Sequence, residues 1–393
     1  MLHSSGSNNG VGRSTLLALA TAAASAVGTG NAYADAMAMP ALSAPLVGNA
    51  NPTSIGGGVL GKFYVTGVAS GLAYEQSNPV PGDNHQRLDI SNGQLFVQKT
   101  DGMFQYFVQL GGYSLPALGT PYLASNKTTD SFYGVLPQGF VKLVPSNDFS
   151  LMVGKLPTLI GAEFTFTFEN MNIERGLLWN QENAVNRGVQ ANYSHGPIAA
   201  SVSLNDGFYS KRYNWLWGSL AYTFNPTNVL CVVGGGNLGR TKTSNTATPL
   251  LQNNEDIYNI IYTHTDGAWT LQPYLQYTKV AADAQLGIAH SGQTYGAALL
   301  TNYAFDPKFN LASRVEYIGS SGNATDGSPN LLYGPGSKGW SLTVTPTYQV
   351  ESFFARAEVS YVKANNTAPG AAFGADGHNT SQTRLMIETG VMF

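Results

Sequence analysis

The last eleven residues of the chain read Thr383-Arg384-Leu385-Met386-Ile387-Glu388-Thr389-Gly390-Val391-Met392-Phe393. Counted back in twos from the C-terminus, one set is mostly apolar, whereas the alternate set contains Arg384 and Glu388. Successive side chains of a strand point to opposite faces, so this stretch predicts a strand with one apolar and one charged face. About ten residues of tilted strand cross a bilayer. The stretch therefore predicts a membrane-crossing strand between lipid and water.

The composition favours a membrane protein built from strands. Charged residues make up 11% of the chain, whereas soluble proteins contain roughly 25%. After the N-terminal region, no apolar run reaches the length of about 18 residues that a membrane-spanning helix needs. The 45 glycines and 21 tyrosines favour turns, sheet and interfacial aromatic residues. We therefore predict an all-β fold.

Charge and cysteine content exclude several classes of partner and site. The formal net charge of -3 gives no reason to expect nucleic acid. The single cysteine, Cys231, excludes an intramolecular disulfide and a metal site with several thiolate ligands. Closing the sheet into a barrel is a sufficient alternative source of stability, because a closed barrel has no unpaired edge.

The N-terminal region predicts export. Residues 1–34 combine the basic Arg13, an apolar stretch from Leu16, and the small-x-small pattern of residues 32–34. These are the features of a cleaved secretory signal peptide, and the stretch is too short for the alternative, a retained membrane anchor. Residues 35–61 form a lead-in rich in Pro, Gly and Ala, which we place in the periplasm. We assign residues 62–393 to the barrel.

Alternation and turn signals predict about 16 strands, of which the first five span residues 62–74, 87–99, 103–113, about 131–144 and 149–155. Tight turns such as Asp101-Gly102, where Asp-Gly supplies positive φ, alternate with longer connections. The longest connection is a third loop at about 156–184. Outer-membrane barrels have an even strand number, short periplasmic turns and long extracellular loops. We predict such a transmembrane antiparallel β-barrel.

Two prolines fall within predicted strands. Pro273 and Pro346 each remove one hydrogen bond from the ladder, and a closed barrel has no edge strand that tolerates this loss. We therefore expect a local bulge at each proline.

The charged faces of the last strands indicate what lines the interior. A barrel of this strand number encloses an aqueous channel. A one-residue slip would place Arg356 in lipid at a cost of about 2–4 kcal/mol, so the register turns it inward. The same alternation turns a set of mixed charges inward: Arg314, Glu316, Arg356, Glu358, Arg384 and Glu388. Two interpretations stay open: a role in solute selection, or an ion-pair network that stiffens the wall.

The long connection at 156–184 is a candidate constriction. It carries five charged residues, Glu163, Glu169, Glu174, Arg175 and Glu182. In general porins the loop after the fifth strand folds into the lumen and narrows it; here we expect the same, and a surface-exposed loop is the alternative. Together with the six wall residues, we take Lys155, Glu163, Glu174 and Arg175 as candidates for lining the pore or its constriction.

Four short motifs resemble a known family. They are Val153-Gly154-Lys155, Gly161-Ala162-Glu163, Arg187-Gly188-Val189-Gln190-Ala191 and Val202-Ser203-Leu204-Asn205-Asp206-Gly207. They resemble the OmpL-like family of β-barrel porins. The resemblance implies an outer-membrane channel for passive diffusion of small hydrophilic solutes or ions, and it brings no catalytic residues.

The C-terminal Phe393 resembles the terminal aromatic residue that the outer-membrane barrel assembly machinery reads. That machinery and outer-membrane lipid are therefore expected partners. The solute and the oligomeric state stay open, and a homotrimer is among the alternatives because its interface would be as apolar as a lipid-facing surface.

The sequence predicts no enzyme, cofactor or metal site. It contains neither H-E-x-x-H nor G-x-S-x-G, and the glycine-rich residues 234–239 lack the lysine and the helix of a phosphate-binding loop. Two alternatives to an open channel remain: a structural or adhesin-type barrel plugged by residues 35–61, and a barrel-embedded hydrolase.

Overall fold

The computed structural model describes residues 42, 45–49, 51–58 and 61–393. The predicted signal peptide, residues 1–34, and part of the lead-in lie outside these residues. The strands are β1 (Thr53–Gly56), β2 (Lys62–Gln76), β3 (Gln86–Lys99), β4 (Phe104–Tyr113), β5 (Gly139–Leu143), β6 (Phe149–Pro157), β7 (Val185–His195), β8 (Ile198–Asn205), β9 (Trp215–Asn225), β10 (Asn228–Asn237), β11 (Glu255–Asp266), β12 (Trp269–Val280), β13 (Gly292–Ala304), β14 (Phe309–Ser320), β15 (Lys338–Val350), β16 (Phe353–Asn365) and β17 (Ser381–Met392).

Helical structure is sparse among the residues that the structure describes. One α-helix, α1 (Ser125–Ser131), precedes β5, and short 3-10 turns span Thr167–Glu169, Trp179–Gln181, Gln252–Asn254 and Ala284–Leu286. Within the part of the chain that the structure describes, no helix has the length and apolar character needed to span a membrane.

Strands β2 to β17 close into one antiparallel barrel. Each strand pairs with the next in sequence, and β17 pairs back with β2 from Arg384↔Gln76 to Met392↔Val68. The C-terminal residue completes the seam, because the Gly67 N–H donates to the Phe393 carbonyl at 2.8 Å and the Phe393 N–H donates to the Gly67 carbonyl at 3.0 Å. Strand β1 continues this edge by pairing with the first residues of β2. The prediction of a closed barrel of 16 strands is confirmed.

Connection length separates the two ends of the barrel. The end at which β2 begins and β17 ends has only short turns, such as residues 100–103 and 351–352. The opposite, extracellular end has eight longer loops: L1 (77–85), L2 (114–138), L3 (158–184), L4 (206–214), L5 (238–254), L6 (281–291), L7 (321–337) and L8 (366–380). This arrangement agrees with short periplasmic turns and long extracellular loops.

The fourth strand is shorter than predicted. Instead of a strand over 131–144, α1 ends at Ser131 and β5 spans Gly139–Leu143. Asp89 of β3 accepts the Ser125 N–H at 2.8 Å and the Ser125 hydroxyl at 2.9 Å. This long-range contact stabilises the first turn of a helix that local alternation could not indicate.

The predicted bulges at the two prolines are wrong. Pro273 lies opposite Leu299 and Pro346 lies opposite Leu311, and neither ladder shifts register there. Instead, the ladder on the other side of each proline-containing strand lacks two residue pairs, β11–β12 near Pro273 and β15–β16 near Pro346. Both ladders then resume in the same register. A missing N–H is therefore accommodated by a gap in one ladder, without an inserted residue.

The two faces of the wall differ as the last strand predicts. On β17, Leu385 and Ile387 are 51% and 59% exposed, whereas Arg384 and Glu388 are buried inside the barrel. Outward aromatic rings pack in pairs, with centroids 4.6 Å apart for Trp269 and Tyr303. The outer surface is therefore apolar and rich in aromatic residues, and the interior holds the charges.

Candidate functional site: the inward loop and the charged wall

Loop L3 lies inside the barrel. Phe166 and Phe168 are fully buried, and Phe168 packs on Phe96 of β3 with ring centroids 5.8 Å apart. On the other side, Leu178 approaches β13 so closely that a Cβ at Gly296 would lie 3.0 Å from its Cδ1 atom. L3 therefore crosses the interior from β6 and β7 to strands on the far wall.

The first group of polar contacts joins L3 to β14. The Arg314 guanidinium forms ion pairs with Glu163 of L3 at 2.5 Å and with Glu316 at 3.1 Å. Glu316 in turn accepts the backbone N–H groups of Leu177 and Leu178 at 3.0 and 3.3 Å. Both carboxylates and the guanidinium are thus hydrogen-bonded although they are buried, as buried charges must be to persist.

A second group joins L3 to β16. Glu358 accepts the backbone N–H groups of Ile173 at 2.6 Å and Glu174 at 3.0 Å. Arg356 donates to the carbonyls of Thr167 at 2.9 Å and Asn170 at 3.0 Å. The Glu358 carboxylate of the wall therefore accepts hydrogen bonds from backbone N–H groups of L3. The Arg356 guanidinium of the wall donates hydrogen bonds to backbone carbonyls of L3.

A third group joins L3 to β17. Arg384 forms an ion pair with Glu174, and the Ser360 hydroxyl donates to the same carboxylate at 2.8 Å. Glu388 accepts the Thr167 hydroxyl at 2.6 Å and lies 3.4 Å from Arg356. All six wall residues named from the sequence therefore face the interior and, with Glu163 and Glu174, meet in one network.

The side chains of the remaining two candidates form no hydrogen bond or ion pair with these network residues. Arg175 is fully buried with its guanidinium 4.9 Å from the Trp179 ring, and none of its side-chain nitrogens has a hydrogen-bond partner among the described residues. Lys155 donates to the carbonyls of Tyr133 at 3.2 Å and Leu136 at 2.7 Å. Lys155 thus binds the backbone of L2, whereas the Arg175 guanidinium contacts the Trp179 ring and makes no hydrogen bond with any described residue.

Glu182 and Glu255 are buried glutamates that were not among the predicted site residues. Glu182 of L3 has one oxygen 3.4 Å from the Tyr274 hydroxyl and one without a partner, and both oxygens of Glu255 lack partners among the described residues. Burial and the nearby Glu163 carboxylate raise the pKa of Glu182 well above its ordinary value of 4.5. Glu255 shares the inward side of β11 with Ile257 and Asn259, so the alternation of that strand could have indicated it.

The described part of the lead-in reaches the periplasmic mouth. Leu46 is 2% exposed and belongs to an interior cluster with Phe354 and Met392. The Gln349 side chain accepts the Val47 N–H and donates to the Val47 carbonyl, both at 2.8 Å. Residues of the lead-in therefore contact the inner face of β15.

A closed barrel with an apolar exterior, charges inside and a loop folded into the lumen is the architecture of a porin, a channel of the bacterial outer membrane. Residues 62–393 match the model of the family described as "Putative beta-barrel porin-2, OmpL-like", and the chain belongs to this family. The predicted resemblance and the predicted class, an outer-membrane channel for passive diffusion, are confirmed.

Solved structures agree at the level of the fold. The trimer form of OmpT from Vibrio cholerae is 12% identical with a TM-score of 0.57, covering 84% of this chain and 99% of that chain. The outer membrane channel DcaP of Acinetobacter baumannii is 11% identical with a TM-score of 0.56, covering 84% and 97%. No curated protein matches the chain by sequence.

Proposed function

We propose that L3 forms the constriction of the channel, so that only small hydrophilic solutes and ions pass. The observation that supports this is the network that holds L3 against β14, β16 and β17, with Arg314 and Glu163 2.5 Å apart at one end of it. The residues that would line or fix the constriction are Glu163, Glu174, Arg175, Arg314, Glu316, Arg356, Glu358, Arg384 and Glu388, with Lys155 behind them at L2.

Liposome swelling with a graded series of sugars tests this proposal. The swelling rate should fall steeply from the smallest sugar to the larger ones, because a fixed loop sets a fixed aperture. Removing the contacts of L3 with β14, by Arg314→Met, should admit larger sugars. Equal swelling rates for all sugars in the wild-type protein would contradict a narrow constriction.

Cations should pass more readily than anions. Among the described residues, buried carboxylates outnumber buried arginines: the former are Glu163, Glu169, Glu174, Glu182, Asp206, Glu255, Glu316, Glu358 and Glu388, and the latter are Arg175, Arg314, Arg356 and Arg384. A passage lined by an excess of one sign raises the local concentration of the opposite ion. We therefore infer a preference for cations.

Reversal potentials in a salt gradient across a planar bilayer test the preference. Arg175→Gln should increase cation selectivity, and this change breaks no hydrogen bond because the guanidinium has no partner among the described residues. Glu182→Gln should decrease it at alkaline pH, where the Glu182 carboxyl carries its charge. Identical reversal potentials in both variants and the wild type would remove these residues from the constriction, and an anion-selective wild type would contradict the preference.

A second candidate function is a barrel plugged at its periplasmic mouth. The burial of Leu46 in the interior cluster with Phe354 and Met392, and the hydrogen bonds of Val47 to Gln349 of β15, favour it. Gln349→Leu would remove both hydrogen bonds to Val47 and loosen this segment. The plug would be supported if the folded wild-type barrel shows no conductance and the Gln349→Leu variant conducts. Conductance of the wild type equal to that of the variant would contradict it. A matched control is Gln382→Leu, which removes a hydrogen bond at the extracellular end.

The finer points of export and assembly belong to the same proposal. We infer cleavage after Ala34, a periplasmic lead-in over 35–61, a barrel over 62–393, and recognition of Phe393 by the barrel assembly machinery in contact with outer-membrane lipid. We propose a homotrimer because OmpT is known in a trimer form, and no enzymatic activity because the family is one of porins. N-terminal sequencing of the mature protein tests cleavage after Ala34. Native mass spectrometry tests the oligomeric state.

A further inference from the structure

Basic side chains line one cleft on the extracellular side, where L4 and L5 leave β9 and β10. The cleft has a volume of about 420 Å³ and is lined by Arg212, Tyr213, Asn214, Arg240, Lys242 and Thr243. Arg240 pairs with Asp283 of L6, whereas the side chains of Arg212 and Lys242 form no ion pair with any described residue. The cleft therefore carries a surplus of positive charge.

The basic side chains point away from the lumen. Along the chain after β10, Leu238, Arg240 and Lys242 are exposed, whereas Thr241 between them is fully buried and bonded to Asn254. The chain bends at residues 238–239, so this stretch no longer follows strand alternation. The burial of Thr241 and the exposure of its two neighbours turn Arg240 and Lys242 away from the interior.

The cleft lies at the upper edge of the apolar surface. Leu238 is 70% exposed and precedes Arg240 by two residues. Tyr213, in the lining of the same cleft, is 59% exposed, and tyrosine is typical of the membrane interface. Arg212, which has no ion-pair partner among the described residues, adjoins Tyr213 in the chain, and Lys242 lies four residues beyond Leu238. Apolar and basic side chains therefore meet at this edge.

The geometry points to a binding site for the phosphate head group of a phosphorylated lipid in the outer leaflet. Arginine matches phosphate with two parallel hydrogen bonds, and lysine adds a compact positive charge. Leu238 and Leu216 below the cleft offer apolar surface to acyl chains, which a free anion would not use. On the neighbouring strands, the outward Asp256 of β11 lies directly opposite Lys279 of β12, so these two charges compensate each other and leave the bases of the cleft without a counter-charge from this pair.

Native mass spectrometry of the purified full-length barrel tests the site. The probes are a bis-phosphorylated glycolipid, the same lipid without phosphate, and inorganic phosphate. The variant is Arg212→Gln with Lys242→Gln, whose side chains make no hydrogen bond with a described residue and whose loss should leave folding intact. Matched controls are Lys127→Gln on the extracellular α1 and Lys308→Gln in a periplasmic turn.

The phosphorylated lipid should remain bound to the wild type and to both controls, and the double variant should bind it roughly tenfold or more weakly, since each base near a membrane surface contributes appreciably. The lipid without phosphate should bind all forms equally weakly. The proposal is overturned if the double variant behaves like the controls, if both lipids bind the wild type alike, or if inorganic phosphate binds as tightly as the lipid.

Discussion

Glu163 and Arg314 form an ion pair at 2.5 Å in the barrel interior although 151 residues separate them in the chain. The same guanidinium donates to the Glu174 carbonyl at 2.7 Å. One side chain of the wall therefore fixes both the beginning and the middle of L3. The position of the loop depends on a few side chains that single substitutions can remove.

Arg314→Met should destabilise the barrel, because Glu163 and Glu316 would remain buried without their partner. Breaking a buried pair in this way costs about 3–5 kcal/mol, which urea titration of the protein refolded in lipid vesicles can measure. The control is Lys99→Met, since Lys99 pairs with the half-exposed Asp101 at the protein surface. Such surface pairs contribute about 1 kcal/mol or less. Equal decreases in the free energy of unfolding of both variants would argue against a structural role of the network.

Gly176→Ala should displace L3 without changing any charge. A Cβ at this position would lie 2.0 Å from Oε1 of Glu316, so either the loop or that carboxylate must move. We expect altered single-channel conductance with larger fluctuations, because Glu316 holds the N–H groups of Leu177 and Leu178. Gly218→Ala is the control, since nothing lies within 4 Å of its added Cβ. A variant that conducts like the control would contradict the fixed loop.

Ile387→Arg should destabilise the folded barrel by about 2–4 kcal/mol, because Ile387 faces outward near the middle of β17 and the new charge would lie in hydrocarbon. Thr383→Arg, on the same face near the extracellular end of the strand, should cost about 1 kcal/mol or less. Unfolding free energies in vesicles provide the comparison. Similar losses for both positions would indicate that this face does not lie in lipid.

Cation selectivity should increase as pH rises. The pKa of Glu182 is raised by burial and by Glu163, so its carboxyl is neutral at low pH and gains its charge well above pH 4.5. An additional negative charge in the passage attracts cations. Reversal potentials measured between mildly acidic and alkaline pH should show this increase, and Glu182→Gln should weaken it. A variant with the full pH dependence would assign the effect to other groups.

Phe393→Ala should impair assembly in cells more than folding in vitro. The backbone of Phe393 can still pair with Gly67 in the variant, so the purified protein should refold into vesicles. The signal for the assembly machinery would be lost, and the amount of folded barrel in the outer membrane should fall. The control is Phe353→Ala, an aromatic residue of similar exposure on β16. Normal levels of Phe393→Ala in the membrane would contradict recognition of the terminal aromatic.

Alternation within strands made the barrel and its inward charges predictable. A charged side chain in lipid is so unfavourable that the register of Arg314, Arg356 and Arg384 follows from local sequence alone. The partners of these arginines could not be predicted in the same way, because L3 has no periodic pattern. Which backbone N–H meets Glu316 or Glu358 is determined by how the loop crosses the lumen.

Helix α1 and the register at Pro346 also differ from the sequence prediction because they depend on contacts that are distant in the chain. Helix α1 depends on Asp89, which is 36 residues distant in the chain from Ser125. Pro346 keeps its register because β14 pairs with it at Leu311 while the β16 ladder is interrupted. Both outcomes depend on neighbours that only the closed sheet brings together.

The ion pairs of L3 have a consequence for the order of events during biogenesis. L3 follows β6, whereas Arg314 and Arg384 lie on β14 and β17. A chain inserting strand by strand would hold this loop without its partners until the final strands arrive. The aperture would then be the last feature to take shape, and an unfinished barrel would be leakier than the completed one.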